Sequence, residues 1–308
     1  MLKNTVKSLH PIRNIYVGTA GWNYKDWEGI VYPSQKEKNF DHLAYLATLI
    51  NVIEINSSFY RPPAVQATLK WIDRVKHNAK FTFTYKLWQA YTHERESFPD
   101  SPKEKMVKQG LDVLKKNNRL GAVLVQFPWS FKNTPENHKW LEKVIGLFRE
   151  YNPVIEVRHN SWNKPDFFSF LNDSGAAYAN IDQPVIGDSI GLTSFGSEKF
   201  SYLRLHGRNF KNWFAKDANV ASRYDYLYND EELRDITETI SGMIENSPKT
   251  YIIFNNHYRG QAIVNALQSI FLLDGNKVEA PKSLVEYYPF LENISKISNE
   301  NIGQTSLF

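Results

Sequence analysis

Eight short apolar segments recur along the chain, and nearly every one runs into a polar, charged or amide residue at its C-terminal end. They are Ile15 to Trp22, Val52 to Asn56, Phe81 to Lys86, Ala122 to Phe127, Val154 to His159, Ala176 to Asp182, Tyr202 to Arg208 and Tyr251 to Asn256. Stretches of helical period fill most of the gaps, such as Asn39 to Ile50 with Leu43, Leu46, Ala47 and Ile50 on one side. Pro62 and Pro63 can open a helix whose inward face would be Val65, Leu69, Ile72 and Val75. Ser101-Pro102-Lys103-Glu104 reads as a capping box ahead of Val107, Leu111 and Leu114. Eight strands alternating with helices predict an α/β fold of the (β/α)8 TIM-barrel type, which gathers its chemistry at the C-terminal ends of its strands.

Between Asp182 and Lys199 the chain carries Gly187, Gly191 and Gly196 and no helical period, so a loop can replace the helix between the sixth and seventh strands. A doubly wound open sheet is the alternative, but GTAGW after the first strand has too few glycines at the spacing of a phosphate-binding turn. Residues 1–14 read as an N-terminal extension and 15–291 as one barrel. Residues 292–308 are polar, lack an apolar period and read as a disordered tail.

Composition narrows the function classes. With 42% hydrophobic and 23% charged residues the chain has a globular profile. No apolar run approaches a membrane span and the start lacks a signal-peptide core, so a cytoplasmic protein without a membrane partner is expected. There is no cysteine, which excludes disulfides, thiolate metal sites and cysteine nucleophiles. The net charge of +4 permits a nucleic-acid partner without requiring one. Aromatic rings cluster after strand ends (Trp22, Tyr24 and Trp27; Phe59 and Tyr60; Trp88 and Tyr91; Trp129 and Phe131; Trp162), where they can stack on bases or sugars or merely cover the barrel top.

Several strand-end motifs occur together: GTAGWNYKDW (Gly18 to Trp27), VIEINSSFYRPP (Val52 to Pro63), LVQFPWSF (Leu124 to Phe131), VIEVRHNSW (Val154 to Trp162), YLRLHGR (Tyr202 to Arg208) and FNN (Phe254 to Asn256). Together they resemble the YecE-like family, also known as domain of unknown function seventy-two, over about Ile15 to Leu273. The segment after Asn256 departs from the family's acidic form and reads HYRGQAIVNAL. The resemblance implies a TIM-type barrel and no established reaction.

Side chains two apart on a strand share a face, so Glu54 goes with Asn56, Glu156 with Arg158, and Arg204 with His206. Opposite charges converging inside a barrel must pair, and they suggest an ionic network around a ligand. In the functional reading Glu54, Glu156, Asp182 and His206 are the catalytic candidates, with Glu156 and Asp182 activating water and His206 moving a proton. Lys86, Arg158, Arg204 and Arg208, with the amides Asn56, Gln126, Asn255 and Asn256 and the rings of Trp22 and Tyr60, would hold the substrate. In the competing reading these charges only neutralise one another. A divalent metal is allowed by the acidic residues, but no HExxH or comparable spacing supports one, so the cofactor stays unassigned. Lys86 could form a Schiff base if desolvated, although a paired cation is the simpler expectation.

The pentapeptide Gln304-Thr305-Ser306-Leu307-Phe308 resembles the motif by which bacterial replication and repair proteins dock on the DNA sliding clamp. Leu307 and Phe308 supply an apolar pair and Gln304 an amide anchor. The leading expectation is a hydrolase acting on an anionic, phosphorylated or nucleic-acid-derived substrate, recruited to the clamp. A non-catalytic nucleic-acid-binding or adaptor protein is one alternative. A metal-free carbohydrate hydrolase using Glu54 and Glu156 is the other.

Overall fold

The computed structural model describes residues 14–213 and 223–298. Eight parallel strands close into a barrel: β1 (Ile15–Ala20), β2 (Val52–Ile55), β3 (Thr82–Lys86), β4 (Leu120–Gln126), β5 (Pro153–Glu156), β6 (Ala177–Asp182), β7 (Ser201–Leu205) and β8 (Thr250–Phe254). Closure is made by β1, which pairs with β2 through Gly18 and Val52 and with β8 through Ile15 and Thr250. At that seam Gly18 permits the close approach, since a Cβ there would overlap the Val52 carbonyl.

Helices α1 (His42–Leu46), α2 (Val65–Arg74), α3 (Ser101–Lys116), α4 (Pro135–Phe148) and α5 (Pro165–Ser174) connect the first six strands in turn. After β7 come a single turn, α6 (Phe210–Trp213), and α7 (Asp230–Glu245); α8 (Gln261–Asp274) follows β8. Local chemistry sets where they start. Thr134 caps α4 ahead of Pro135, and Asn229 with Glu232 forms a capping box on α7. The capping box expected at Ser101 does not form: Asp100 is the cap, accepting from the Lys103 amide at 3.1 Å, and Ser101 is already helical. Leu69, expected to face inward, is 40% exposed, because α2 buries Thr68 instead.

No helix spans β6 and β7. The buried Asn180 side chain organises that crossover, accepting from Thr193 Oγ1 and the Phe195 amide at 2.8 Å and donating to the Phe195 carbonyl at 2.9 Å. One amide thus satisfies the loop backbone that a helix would have satisfied internally. Phe195 then stacks on Phe168 of α5, closing the gap in the outer layer.

Two apolar layers result. The outer one lies between sheet and helices. The inner one fills the barrel with Val52, Ala122, Leu124, Val154, Ala177, Ala179, Tyr202, Tyr251 and Ile253, among others. Beyond the barrel, β9 (Val278–Pro281) pairs in parallel with β10 (Ser295–Ser298), joined through α9 (Lys282–Tyr287). The tail boundary drawn at 292 therefore falls between the two strands of this small sheet: Lys296 and Ile297 pair with Glu279 and Ala280, and Ser295 is buried. Backbone pairing, which needs no apolar period, orders residues that the polar sequence alone leaves unstructured.

Candidate functional site

Alternation along the strands sends Glu54, Thr84, Lys86, Gln126, Glu156, Tyr202 and Arg204 into the barrel above its apolar filling. Arg204 is the centre of this layer. Its guanidinium donates to both Glu54 oxygens, from Nη2 at 2.7 Å and Nε at 3.0 Å, and to Glu156 Oε2 from Nη1 at 2.5 Å. Arg158 donates to the other Glu156 oxygen from Nε at 3.0 Å and Nη2 at 2.9 Å. The Tyr202 hydroxyl lies 2.9 Å from Glu54 Oε2 and 3.0 Å from Thr84 Oγ1. Burial alone would raise the Glu156 carboxyl, but the guanidiniums of Arg204 and Arg158, with His206, hold it well below the usual carboxylate range.

His206 is fully buried, with Nδ1 3.0 Å from the Asn255 amide nitrogen and Nε2 3.4 Å from Glu156 Oε1. Burial lowers its pKa to about 3, so the ring is neutral. Lys86 is different. Its ammonium lies 4.2 Å over the Phe59 ring, and among the described residues it forms no ion pair. Burial and the Arg204 guanidinium lower its pKa to about 8 against the pull of Glu54 and Glu156. The simple paired cation expected for Lys86 is not what the barrel builds.

Above this layer opens a cavity of about 320 Å³. Lys86, Arg158 and Arg204 line it together with Asn56, Gln126 and Asn255, under the rings of Tyr24, Phe59, Tyr60 and Tyr224. His257 completes the wall, stacked on Tyr24 at 4.3 Å. Trp22 lies in an adjoining groove with Trp71, and Tyr24 and Asn56 are shared between groove and cavity.

Three expected site residues go elsewhere. Because Ala177 and Ala179 face inward, Asp182 faces the helix layer, where Arg208 grips both its oxygens at 2.8–3.1 Å and the Tyr228 hydroxyl donates at 2.5 Å. Arg208 leaves the barrel mouth after Gly207, whose φ of +87° turns the chain, and it also reaches Glu232. Asn256 is likewise outward, donating to the Tyr226 carbonyl and to Asn265. The Glu156–Asp182 pair expected to activate water is therefore not assembled. Among the described residues no three His, Asp or Glu side chains converge as metal ligands do. Gln304, Leu307 and Phe308 lie outside the described residues.

Tyr202 and Thr84 were missed as partners of Glu54, although each sits two residues before a residue singled out from the sequence. His257 and Tyr224 were missed as cavity walls because they come from loops, for which strand periodicity carries no signal.

A family model described as "Protein of unknown function DUF72" matches residues 16–285. The UPF0759 protein YunF of Bacillus subtilis (strain 168) is 29% identical over 273 residues, covering 84% of this chain and 95% of that protein. Among solved structures, a DUF72 family protein of Thermotoga maritima MSB8 is similar with a TM-score of 0.76 and 31% identity, over 85% of this chain and 99% of its own. A second, from Enterococcus faecalis V583, has a TM-score of 0.73 and 26% identity, over 84% and 95% respectively.

Proposed function

Since the chain belongs to the DUF72 family of unknown function, its activity must be argued from its own barrel mouth, and we propose that this mouth binds and transforms a small anionic substrate. The observation that carries the reading is a charge imbalance. Three cations, Lys86, Arg158 and Arg204, face two carboxylates, Glu54 and Glu156, around one cavity, while His206 stays neutral. A carboxylate or phosphate on the substrate completes the pairing that buried charges require. The rings of Tyr24, Phe59, Tyr60 and Tyr224 suit a flat or apolar remainder, so a phosphorylated or nucleic-acid-derived compound fits.

Carbohydrate hydrolysis is the weaker reading. It needs one carboxyl kept protonated, whereas Glu156 is held ionised and Glu54 accepts from Arg204 twice and from Tyr202. Hydrolysis through Glu156 and Asp182 loses its second member to the helix layer.

The test is calorimetry with inorganic phosphate and a nucleoside monophosphate, each at two salt concentrations. Arg158→Gln should weaken binding about tenfold, the worth of one charge-assisted hydrogen bond. Arg208→Met, outside the cavity, should leave it unchanged. Binding by neither anion, or equal loss in both variants, would sink the proposal. Affinity without turnover of any phosphorylated or carboxylated compound would instead favour the non-catalytic binding protein.

Clamp docking is a separate proposal that rests on QTSLF alone. A peptide of residues 301–308 should bind a bacterial sliding clamp and lose binding with Leu307→Ala or Phe308→Ala. No binding by the unsubstituted peptide would end it.

A further inference from the structure

We propose that Lys86 is a covalent catalyst, forming an imine with the carbonyl group of a substrate that also carries a carboxylate or phosphate. This rests on the anion-site reading above and adds to it the reacting atom and the substrate class.

The position is built for a nucleophile rather than for charge pairing. Lys86 closes β3 on its inner face, at the C-terminal end of the barrel where a substrate enters. Ser58 Oγ sits 2.7 Å from the carbonyl oxygens of both Ile55 and Lys86, which pins the turn Ser57–Phe59 against the end of β3. That pin sets the Phe59 ring beside the amine, where a cation–π contact takes the place of the stronger stabilisation that water or a carboxylate would give the ammonium. The carboxylates that could have neutralised it, Glu54 and Glu156, are already occupied by Arg204 and Arg158.

A half-buried amine beside cations loses its proton more readily than an exposed one. With a pKa of about 8 it is about half free base at pH 8, against roughly 0.4% for an ordinary lysine near 10.4. The Lys86 nitrogen attacks the carbonyl carbon, and the proton it sheds passes to the carbonyl oxygen, giving a carbinolamine. Loss of water then leaves the imine, so one C=O bond is exchanged for one C=N bond with no change of oxidation state. Arg158 and Arg204 line the same cavity and hold the substrate's anionic group. Two further atoms on its wall, Asn56 Oδ1 and His257 Nδ1, are buried and have no hydrogen-bond partner among the described residues. Asn56 Oδ1 is an acceptor suited to the carbinolamine hydroxyl or the departing water, and His257, with a pKa of about 4 through burial, is neutral and can accept or donate there according to its tautomer.

The experiment is reductive trapping of the full-length protein with glyoxylate and cyanoborohydride at pH 8, with adduct positions read by peptide mass spectrometry. Lys86 should carry most of the label. It should prefer glyoxylate to the neutral acetaldehyde and be protected by inorganic phosphate. Lys86→Arg should remove that adduct while still binding phosphate, which shows that the fold and the anion site persist. An unlabelled Lys86 in a protein that binds phosphate overturns the covalent role alone. Label spread over surface lysines, unchanged in Lys86→Arg, does the same. Failure of the unsubstituted protein to bind phosphate or glyoxylate overturns the anion site together with it.

Discussion

Arg204 shows how a single side chain can hold two acids inside a barrel. A guanidinium has enough donors in a fixed plane to serve Glu54 on one edge and Glu156 on another, which a lysine could not do. Removing it leaves two buried carboxylates short of their main partner. Arg204→Met is expected to lower stability by about 3–5 kcal/mol, read from urea unfolding at pH 7. The triple variant Glu54→Gln, Arg204→Met, Glu156→Gln should recover part of that loss, since it removes both orphaned carboxylates while Arg158 and Lys86 keep their charges in the cavity wall. Equal stability of the single variant and the unsubstituted protein would show the network to be solvated and unimportant. The same residues show what periodicity can and cannot reveal. Glu54, Glu156 and Arg204, with His206 just past the end of β7, were legible as converging because each continues a strand's alternation. Asp182 and Arg208 were not, because alternation pairs residues on a face without saying which face is inner. The inward alanines Ala177 and Ala179 and the turn at Gly207 decide that, and only the closed barrel displays it.

At the scale of elements, the eight barrel strands were readable and their ends were not. The segment ending at His159 leaves the sheet after Glu156, and the one ending at Arg208 leaves after Leu205. Polar residues just past a strand look like strand in sequence yet serve the loops, as Arg158 and His159 beyond β5 illustrate by pairing with Ile190 and Ser189. The glycine-rich crossover was legible as a loop, but the role of Asn180 in organising it was not, since a buried amide leaves no periodic trace. The β9–β10 pair is the opposite case, structure where no pattern signals it. Its partner strand carries Val278 and Ala280, which are buried, as is Leu291 just before β10. Ending the chain after Leu291 removes β10 and uncovers that strand. Relative to a chain ending after Ser298, the shorter one should lose about 2 kcal/mol and melt about 4–8 °C lower. Identical melting temperatures would mean that β10 contributes nothing to the barrel.

For the molecule as a whole, burying ionisable groups in and over the barrel makes stability depend on pH in a specific window. His206 and His257 have pKa values of about 3 and about 4, each lowered by burial, against about 6.5 in an unfolded chain. Below pH 6.5 the unfolded chain takes up these protons and the folded one does not, so stability falls as pH drops. The fall continues until the folded protein also protonates, near the two lowered values. Glu156 acts in a lower window: its folded value is depressed, so its contribution is intact above the unfolded carboxylate value and is lost only as pH falls through the folded one. The onset of acid sensitivity therefore belongs to the histidines rather than to the carboxylates. Between pH 6 and 5 the free energy of unfolding should decline by up to about 2.7 kcal/mol per pH unit, the slope for two protons. His206→Gln, which keeps a polar group beside Asn255, should roughly halve that slope while leaving the lower carboxylate step in place. Urea titrations at pH 7, 6, 5 and 4 on both proteins measure this directly. A free energy flat from pH 7 to 5 would mean that the two rings are protonated or solvated in the folded state, and the neutral His206 facing Glu156 would have to be abandoned.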